Sequence, residues 1–173
     1  MVSWDTAVMA MIGVSSIGFF LADGEQRRVR WIQAMRRCLI RMAGIIRYEQ
    51  PALESLLMRI DLQQTLQERT LTRLLHACAE KLADGGNLSV LFVQASVRMP
   101  DYGVLSKEDR AAFETLLGEL GRTRLDEQLR LIDSTDERLR QREAFLSKEC
   151  AKRMRLIRTL SVAGGAAVFL IMI

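Results

Sequence analysis

The stretch RLDEQLRLIDSTDERLRQREAFLSKECAKRMRLIRTLSVA, residues 124–163, decides the fold class of this 173-residue chain. It contains neither Gly nor Pro, and it is rich in Leu, Arg and Glu, which are strong helix formers. At about 1.5 Å of rise per residue, the stretch predicts a helix about 60 Å long. The predicted seam of this helix runs through Leu125, Leu129, Ile132, Asp136, Leu139, Glu143, Leu146, Cys150 and Met154.

Two carboxylates, Asp136 and Glu143, interrupt that otherwise apolar seam. Either this part of the helix projects beyond the rest of the domain, or the carboxylates meet arginines on a neighbouring helix. A coiled coil with a second chain is a further interpretation, but the seam is too imperfect to favour it.

A second amphipathic helix is predicted near the N-terminus, and Pro51 requires it to end close to Tyr48 because proline disfavours helix at the residue before it. Apolar side chains recur along it at helical spacing, and arginines occupy the opposite face. The apolar stripe consists of Trp31, Met35, Cys38, Leu39, Met42 and Ile46, and the opposite face carries Arg30, Arg36, Arg37, Arg41 and Arg47.

Four shorter helices are predicted between these two. Pro51 opens the first, which places Leu53, Leu56, Leu57 and Ile60 inward. The others are expected over residues 62–83, from Asn87 to about residue 98 with Val90, Leu91 and Val97 buried, and from Ser106 to about residue 121. The fold class is therefore all-α, a six-helix bundle.

Charge is distributed unevenly along the chain. All 25 Lys and Arg residues lie between Arg27 and Arg158, and both ends are apolar. This pattern predicts an N-terminal transmembrane helix over residues 1–22, a helical domain over residues 23–158 and a C-terminal transmembrane helix over residues 159–173. Basic residues flank both apolar runs on the domain side, which favours a cytoplasmic domain with the N-terminus and the C-terminus outside.

The sequence offers little for catalysis. His76 is the sole histidine and is expected on a polar helix surface, while Cys38, Cys78 and Cys150 have no metal-binding spacing and are expected to be packing residues. No phosphate-binding loop, nucleophile elbow or dinucleotide fingerprint occurs. We expect a protein that is not an enzyme, with no catalytic residue, no metal and no cofactor.

The most prominent charged feature is the arginine face of the first helix. Nucleic-acid binding would use such a face, but contact with a protein or with anionic lipid is favoured because the helix starts beside an apolar run. The candidate partner-contact residues are Arg30, Arg36, Arg37, Arg41, Arg47, Asp136 and Glu143.

Two short motifs resemble those of the stage III sporulation protein AB family. Tyr48-x-x-Pro51-x-Leu53 follows the first helix, and Leu120-Gly121-x-Thr123-x-x-x-x-Gln128 precedes the last one. The chain departs from the family pattern at Ala52 and at Arg124. The departure at Arg124 removes a capping acid and leaves the helix cap to Thr123. The resemblance extends over essentially the whole chain.

This resemblance implies a helical domain similar to the cytoplasmic domains of type II secretion F proteins. It also implies a non-catalytic membrane scaffold in a sporulation channel complex, located in the mother-cell membrane around the forespore. The implied partners are a secretion-type ATPase, which is stage III sporulation protein AA-like, and other membrane components of the channel. Membrane lipid and a second copy of the chain are further expected partners. The alternative function is that of a membrane-anchored helical signalling or adaptor protein.

Overall fold

The computed structural model describes the backbone of residues 4–82, 85–97 and 99–172. Side-chain environments are described for residues 24–156 and 159, except residues 83, 84, 98, 100 and 101. Within these ranges the chain has six α-helices, one 3₁₀ helix and no strand, so the all-α prediction is confirmed. The helices are α1 (Trp4–Glu49), α2 (Leu53–Met58), α3 (Leu66–Leu82), α4 (Leu88–Ser96), a 3₁₀ helix (Pro100–Val104), α5 (Lys107–Glu119) and α6 (Leu125–Met172).

The two long helices, α1 and α6, form an antiparallel pair. Polar contacts join Gln33 to Glu143 and Arg36 to Asp136, so positions further along α1 meet positions further back along α6. The predicted stripe of α1 is buried from Trp31 to Ile46. On α6 the buried part of the seam ends at Leu146, since Met154 is 44% exposed. Both helices continue without a break through the predicted domain boundaries at residues 22 and 158.

The prediction of two transmembrane helices, and with it the membrane localisation with both termini outside, is wrong for the described residues. No helix in that part of the chain is both long and apolar enough to cross a bilayer. The physical reason is length, because a span needs about 20 apolar residues. The uncharged runs at the two ends comprise only residues 6–22 and 159–173. The side chains of residues 1–23 and 160–173 lie outside the described residues.

The third helix begins later than the spacing of leucines predicts. Thr65 and Glu68 form a capping box, in which the Thr65 hydroxyl accepts from the Glu68 N–H and the Glu68 carboxylate accepts from the Thr65 N–H. Glu68 also accepts from the N–H of Gln64, and the Thr72 hydroxyl binds the backbone of Leu62. Residues 61–65 are thereby held as a loop, although residues 62–65 were predicted to be helical.

The fourth helix has the predicted cap but a different buried face. The Asn87 side chain accepts from the Ser89 N–H, which confirms the cap. Val90 and Val97 are exposed, contrary to prediction, because α4 packs with the side that carries Leu88 and Phe92 toward the core. Phe92 packs edge-on against Tyr102, which in turn contacts Trp31 of α1. Aromatic contacts of this kind contribute about 0.5–1.5 kcal/mol beyond area burial.

Three tight turns connect the helices at one end of the bundle. Gln50 has a φ of 44° after the end of α1, Gly85 has a φ of 85° after α3, and Gly121 has a φ of 81° after α5. The Thr123 hydroxyl is buried and makes no hydrogen bond with any described residue, so the predicted cap of the last helix by this side chain is not formed. Instead, the Gln128 amide donates to the Thr123 carbonyl oxygen at 2.7 Å.

Candidate functional site: the arginine face of the first helix

Arg36 lies between the two carboxylates that interrupt the seam of α6. Its Nε donates to Asp136 Oδ1 at 2.9 Å, and its Nη1 donates to Glu143 Oε2 at 2.7 Å. Gln33 donates to the other oxygen of Glu143 at 2.8 Å. The hydrogen bond to Asp136 raises the pKa of Arg36, in spite of partial burial, and Glu143 contributes in the same direction. The carboxylates therefore meet an arginine on a neighbouring helix of the same chain.

Helix geometry explains why these side chains converge. Asp136 and Glu143 are seven residues apart, which places them on the same face of α6 two turns apart. Gln33 and Arg36 are three residues apart and likewise share a face of α1. The guanidinium is a planar fork with five donors, so it can bind two carboxylates at once. The arrangement is a partly buried cross-link that fixes the register of the two helices.

Arg37, the next residue along α1, is bound to a different helix. Its Nε lies 2.5 Å from Glu68 Oε1, and its Nη1 donates to the side chain of Gln64 at 3.3 Å. The Arg37–Glu68 contact is an ion pair without a well-aligned hydrogen bond. Arg37 Nε and Glu68 Oε1 are both buried, and neither has a hydrogen-bond partner among the described residues. Glu68 thus caps α3 and also joins it to α1.

A third ionic cluster was not predicted from the sequence. Asp109 at the start of α5 accepts from Arg28 Nη2 at 2.6 Å and lies 3.3 Å from Arg142 Nε on α6. Burial alone would raise the pKa of Asp109, but the hydrogen bonds from Arg28 and Ser106 outweigh it and the pKa is lowered. Only the helix cap at Ser106 was predicted from the local sequence. The structure confirms this cap, because the Asp109 N–H donates to the Ser106 hydroxyl at 3.2 Å. Helical periodicity alone could not place Arg28 and Arg142 beside this carboxylate.

The remaining arginines of the predicted face, Arg30, Arg41 and Arg47, are exposed. They make no ion pair or side-chain hydrogen bond with any described residue. Two large apolar side chains, Ile40 and Tyr48, are exposed beside them at 58% and 85% of their surface. The predicted face therefore divides into two internal cross-links, at Arg36 and Arg37, and an outward patch. We call Arg30, Ile40, Arg41, Arg47 and Tyr48 the α1 patch.

The residues considered for chemistry have structural surroundings. His76 is half-buried and its Nε2 lies 2.9 Å from the carbonyl oxygen of Ile60, so it joins α3 to the end of α2. Cys38 and Cys78 are buried, and burial raises the pKa of both thiols, that of Cys78 to about 11. Cys150 is partly exposed. Among the described residues, no cluster of His, Cys, Asp or Glu could hold a metal ion.

The two sequence motifs meet in space at the end of the bundle that carries the turns. An added Cβ at Gly121 would lie 3.2 Å from Cδ2 of Leu53, so the first motif packs against the second. A cavity of about 740 Å³ opens beside them and is also lined by Pro51 and Gln128. This contact could not be predicted from the sequence, since the motifs are about 70 residues apart.

Together these features define an all-α helical bundle whose ionic clusters serve as cross-links between helices. Comparison with protein families matches residues 3–173 to the one described as stage III sporulation protein AB. The chain belongs to this family, which is a family of sporulation components and not a known enzyme family. No curated protein and no solved structure matches the chain significantly.

Proposed function

We propose that this protein is a non-catalytic scaffold of a sporulation complex and that its α1 patch binds a secretion-type ATPase. The observation that carries the proposal is the division of the arginine face. Arg36 and Arg37 are neutralised inside the chain, whereas Arg30, Arg41 and Arg47 project from the same helix without a partner among the described residues. Membership of the family supports the sporulation context.

The composition of the patch suits a protein partner. Arg and Tyr are enriched among the residues that contribute most to binding at protein interfaces. Tyr48 and Ile40 supply apolar area, and the adjacent guanidinium groups can form bidentate hydrogen bonds with carboxylates. An acidic surface on the ATPase would complement this patch.

The helix that carries the patch is held firmly. Arg28, Arg36 and Arg37 connect α1 to three other helices, and the apolar side of α1 is buried. A binding surface on a fixed helix loses less conformational entropy on association than one on a loop. The internal cross-links therefore contribute to the proposed scaffold role by positioning the patch.

Charge reversal of the patch tests this proposal. The triple variant R30E/R41E/R47E should lose co-purification with the ATPase and should reduce sporulation. The matched control is R122E/R124E/R130E, which reverses three exposed arginines near the start of α6 and changes the net charge by the same amount. Binding and sporulation that are unchanged in the first variant, or equally reduced in both, would refute the assignment of the α1 patch.

A further inference from the structure

The outer side of α4 is apolar and remains exposed in the described part of the chain. Val90, Val93 and Val97 are 52%, 37% and 79% exposed, while Leu88 and Phe92 on the opposite side are buried. At about 100° per residue, the three valines lie within a single arc of the helix. An apolar stripe of a helix is normally buried against another part of the protein or a partner. One side of α4 is uncovered among the described residues.

A groove runs beside this valine stripe. It has a volume of about 410 Å³ and lies between α4, the 3₁₀ helix and α5, with Val93, Val97, Met99 and Tyr102 in its lining. Tyr102 is 2% exposed and packs against Trp31 and Phe92, which fixes the position of this ring beside the groove.

The charges around the groove indicate what would bind there. Lys107 and Arg110 line it, and neither forms an ion pair with a described residue. Glu114 lines it as well, so the groove presents two cations and one carboxylate. A partner with acidic residues beside an apolar stripe would satisfy both the valines and the two cations.

We propose that the valine stripe and the adjacent groove bind an amphipathic helix of a partner protein, with carboxylates along one side of its apolar stripe. Laying the apolar side of a helix into a groove is a recurrent mode of peptide recognition. This surface lies on α4, the 3₁₀ helix and α5, whereas the α1 patch lies on α1. The inference goes beyond the proposed function and does not depend on what the arginines bind.

Two synthetic helical peptides test the proposal on the full chain. Both have the same leucine stripe over about five turns, one with Glu and the other with Lys beside the stripe. The Glu peptide should bind at least about tenfold more tightly, as measured by fluorescence anisotropy, because only its charges complement Lys107 and Arg110. The variants V93E/V97E and K107E/R110E should each weaken its binding about tenfold or more.

The control is R122E/R124E, which reverses the same number of cations, at two exposed positions near the start of α6. Circular dichroism and thermal unfolding test whether each variant is folded. We expect V93E/V97E to fold, because both valines are exposed. Equal affinity for the two peptides, or affinity that persists in both groove variants, overturns the proposal. A concentration-dependent dimer that V93E/V97E abolishes would also overturn it, because the occupant would then be a second copy of this chain.

Discussion

Arg36 and Asp136 are 100 residues apart in the sequence and form two hydrogen bonds, at 2.9 and 3.3 Å, across the interface between α1 and α6. Neither side chain is fully buried, since about a fifth of each is exposed. The pair therefore retains some hydration while it fixes the register of the two longest helices. This placement determines which arginines of α1 remain free for a partner.

Replacement of Arg36 by Ala should lower the free energy of unfolding by about 1–3 kcal/mol, because Asp136 and Glu143 would lose their shared cation. Urea unfolding would measure the change. The control R41A removes an exposed arginine from the same helix and should stay within about 0.5 kcal/mol of the wild type. Equal losses in the two variants would mean that the cross-link contributes nothing specific.

Asp109 should make the stability of the protein depend on pH in the acidic range. Its pKa in the folded state is lowered from the ordinary value of 3.8, so its contribution is complete above that value. The contribution is lost as the pH falls through the lowered pKa, where the carboxylate becomes protonated. D109N should therefore be less stable than the wild type at neutral pH, and the difference should shrink below about pH 4.

Urea midpoints between neutral pH and about pH 2 would measure this difference. The control D133N alters an exposed carboxylate of α6 and should follow the wild-type profile. A difference between D109N and the wild type that is constant over this range would contradict the role of the ionised form.

Two glycines should respond in opposite directions to replacement by Ala. Gly121 has a φ of 81°, and Cδ2 of Leu53 lies 3.2 Å from the position of an added Cβ, so G121A should destabilise the protein by about 1–2 kcal/mol. Gly44 lies within α1, before its last turn, and nothing lies within 4 Å of an added Cβ, so G44A should stabilise the protein by about 0.5–1 kcal/mol. Thermal unfolding of both variants provides the comparison, and the same sign in both would contradict the turn geometry.

The three cysteines should differ in reactivity. Burial raises the pKa of Cys38 and Cys78, whereas Cys150 is partly exposed on α6. A thiol reagent at about pH 8 should therefore modify Cys150 first and the other two only after denaturation, since the thiolate is the reactive form. Mass spectrometry of the labelled peptides identifies the sites. Rapid labelling of Cys38 in the folded protein would contradict its position in the core.

Helical periodicity was sufficient to predict much of the fold. It identified the buried stripe of α1, from Trp31 to Ile46, because that stripe repeats over many turns. The caps at Asn87 and Ser106 were also recognisable, because each depends on local sequence. The interruptions at Asp136 and Glu143 left two alternatives open, a projecting helix or an ionic contact with arginines on a neighbouring helix. The structure shows the ionic contact, and its partner, Arg36, could not be identified from the sequence.

What periodicity could not predict depends on tertiary contacts. Val90 and Val97 were expected to be buried, but α4 is apolar on several sides. Only the packing of Phe92 against Tyr102 determines which side faces the core. The arginines of α1 were assigned to one outward face, whereas Arg36 and Arg37 reach carboxylates on α6 and α3. The predicted membrane spans rested on runs that are uncharged but short.

The antiparallel pairing of α1 and α6 has a mechanical consequence. Glu25 and Arg153 form an ion pair, and both helices extend past it, α1 back to Trp4 and α6 on to Met172. A force that separates these two ends would open the helix pair progressively, with the contacts at Arg153, Glu143 and Asp136 breaking in turn. Opposite forces along the axes of α1 and α6 would instead load all these contacts in shear at the same time. The resistance of the protein to tension therefore depends on the direction of the pull.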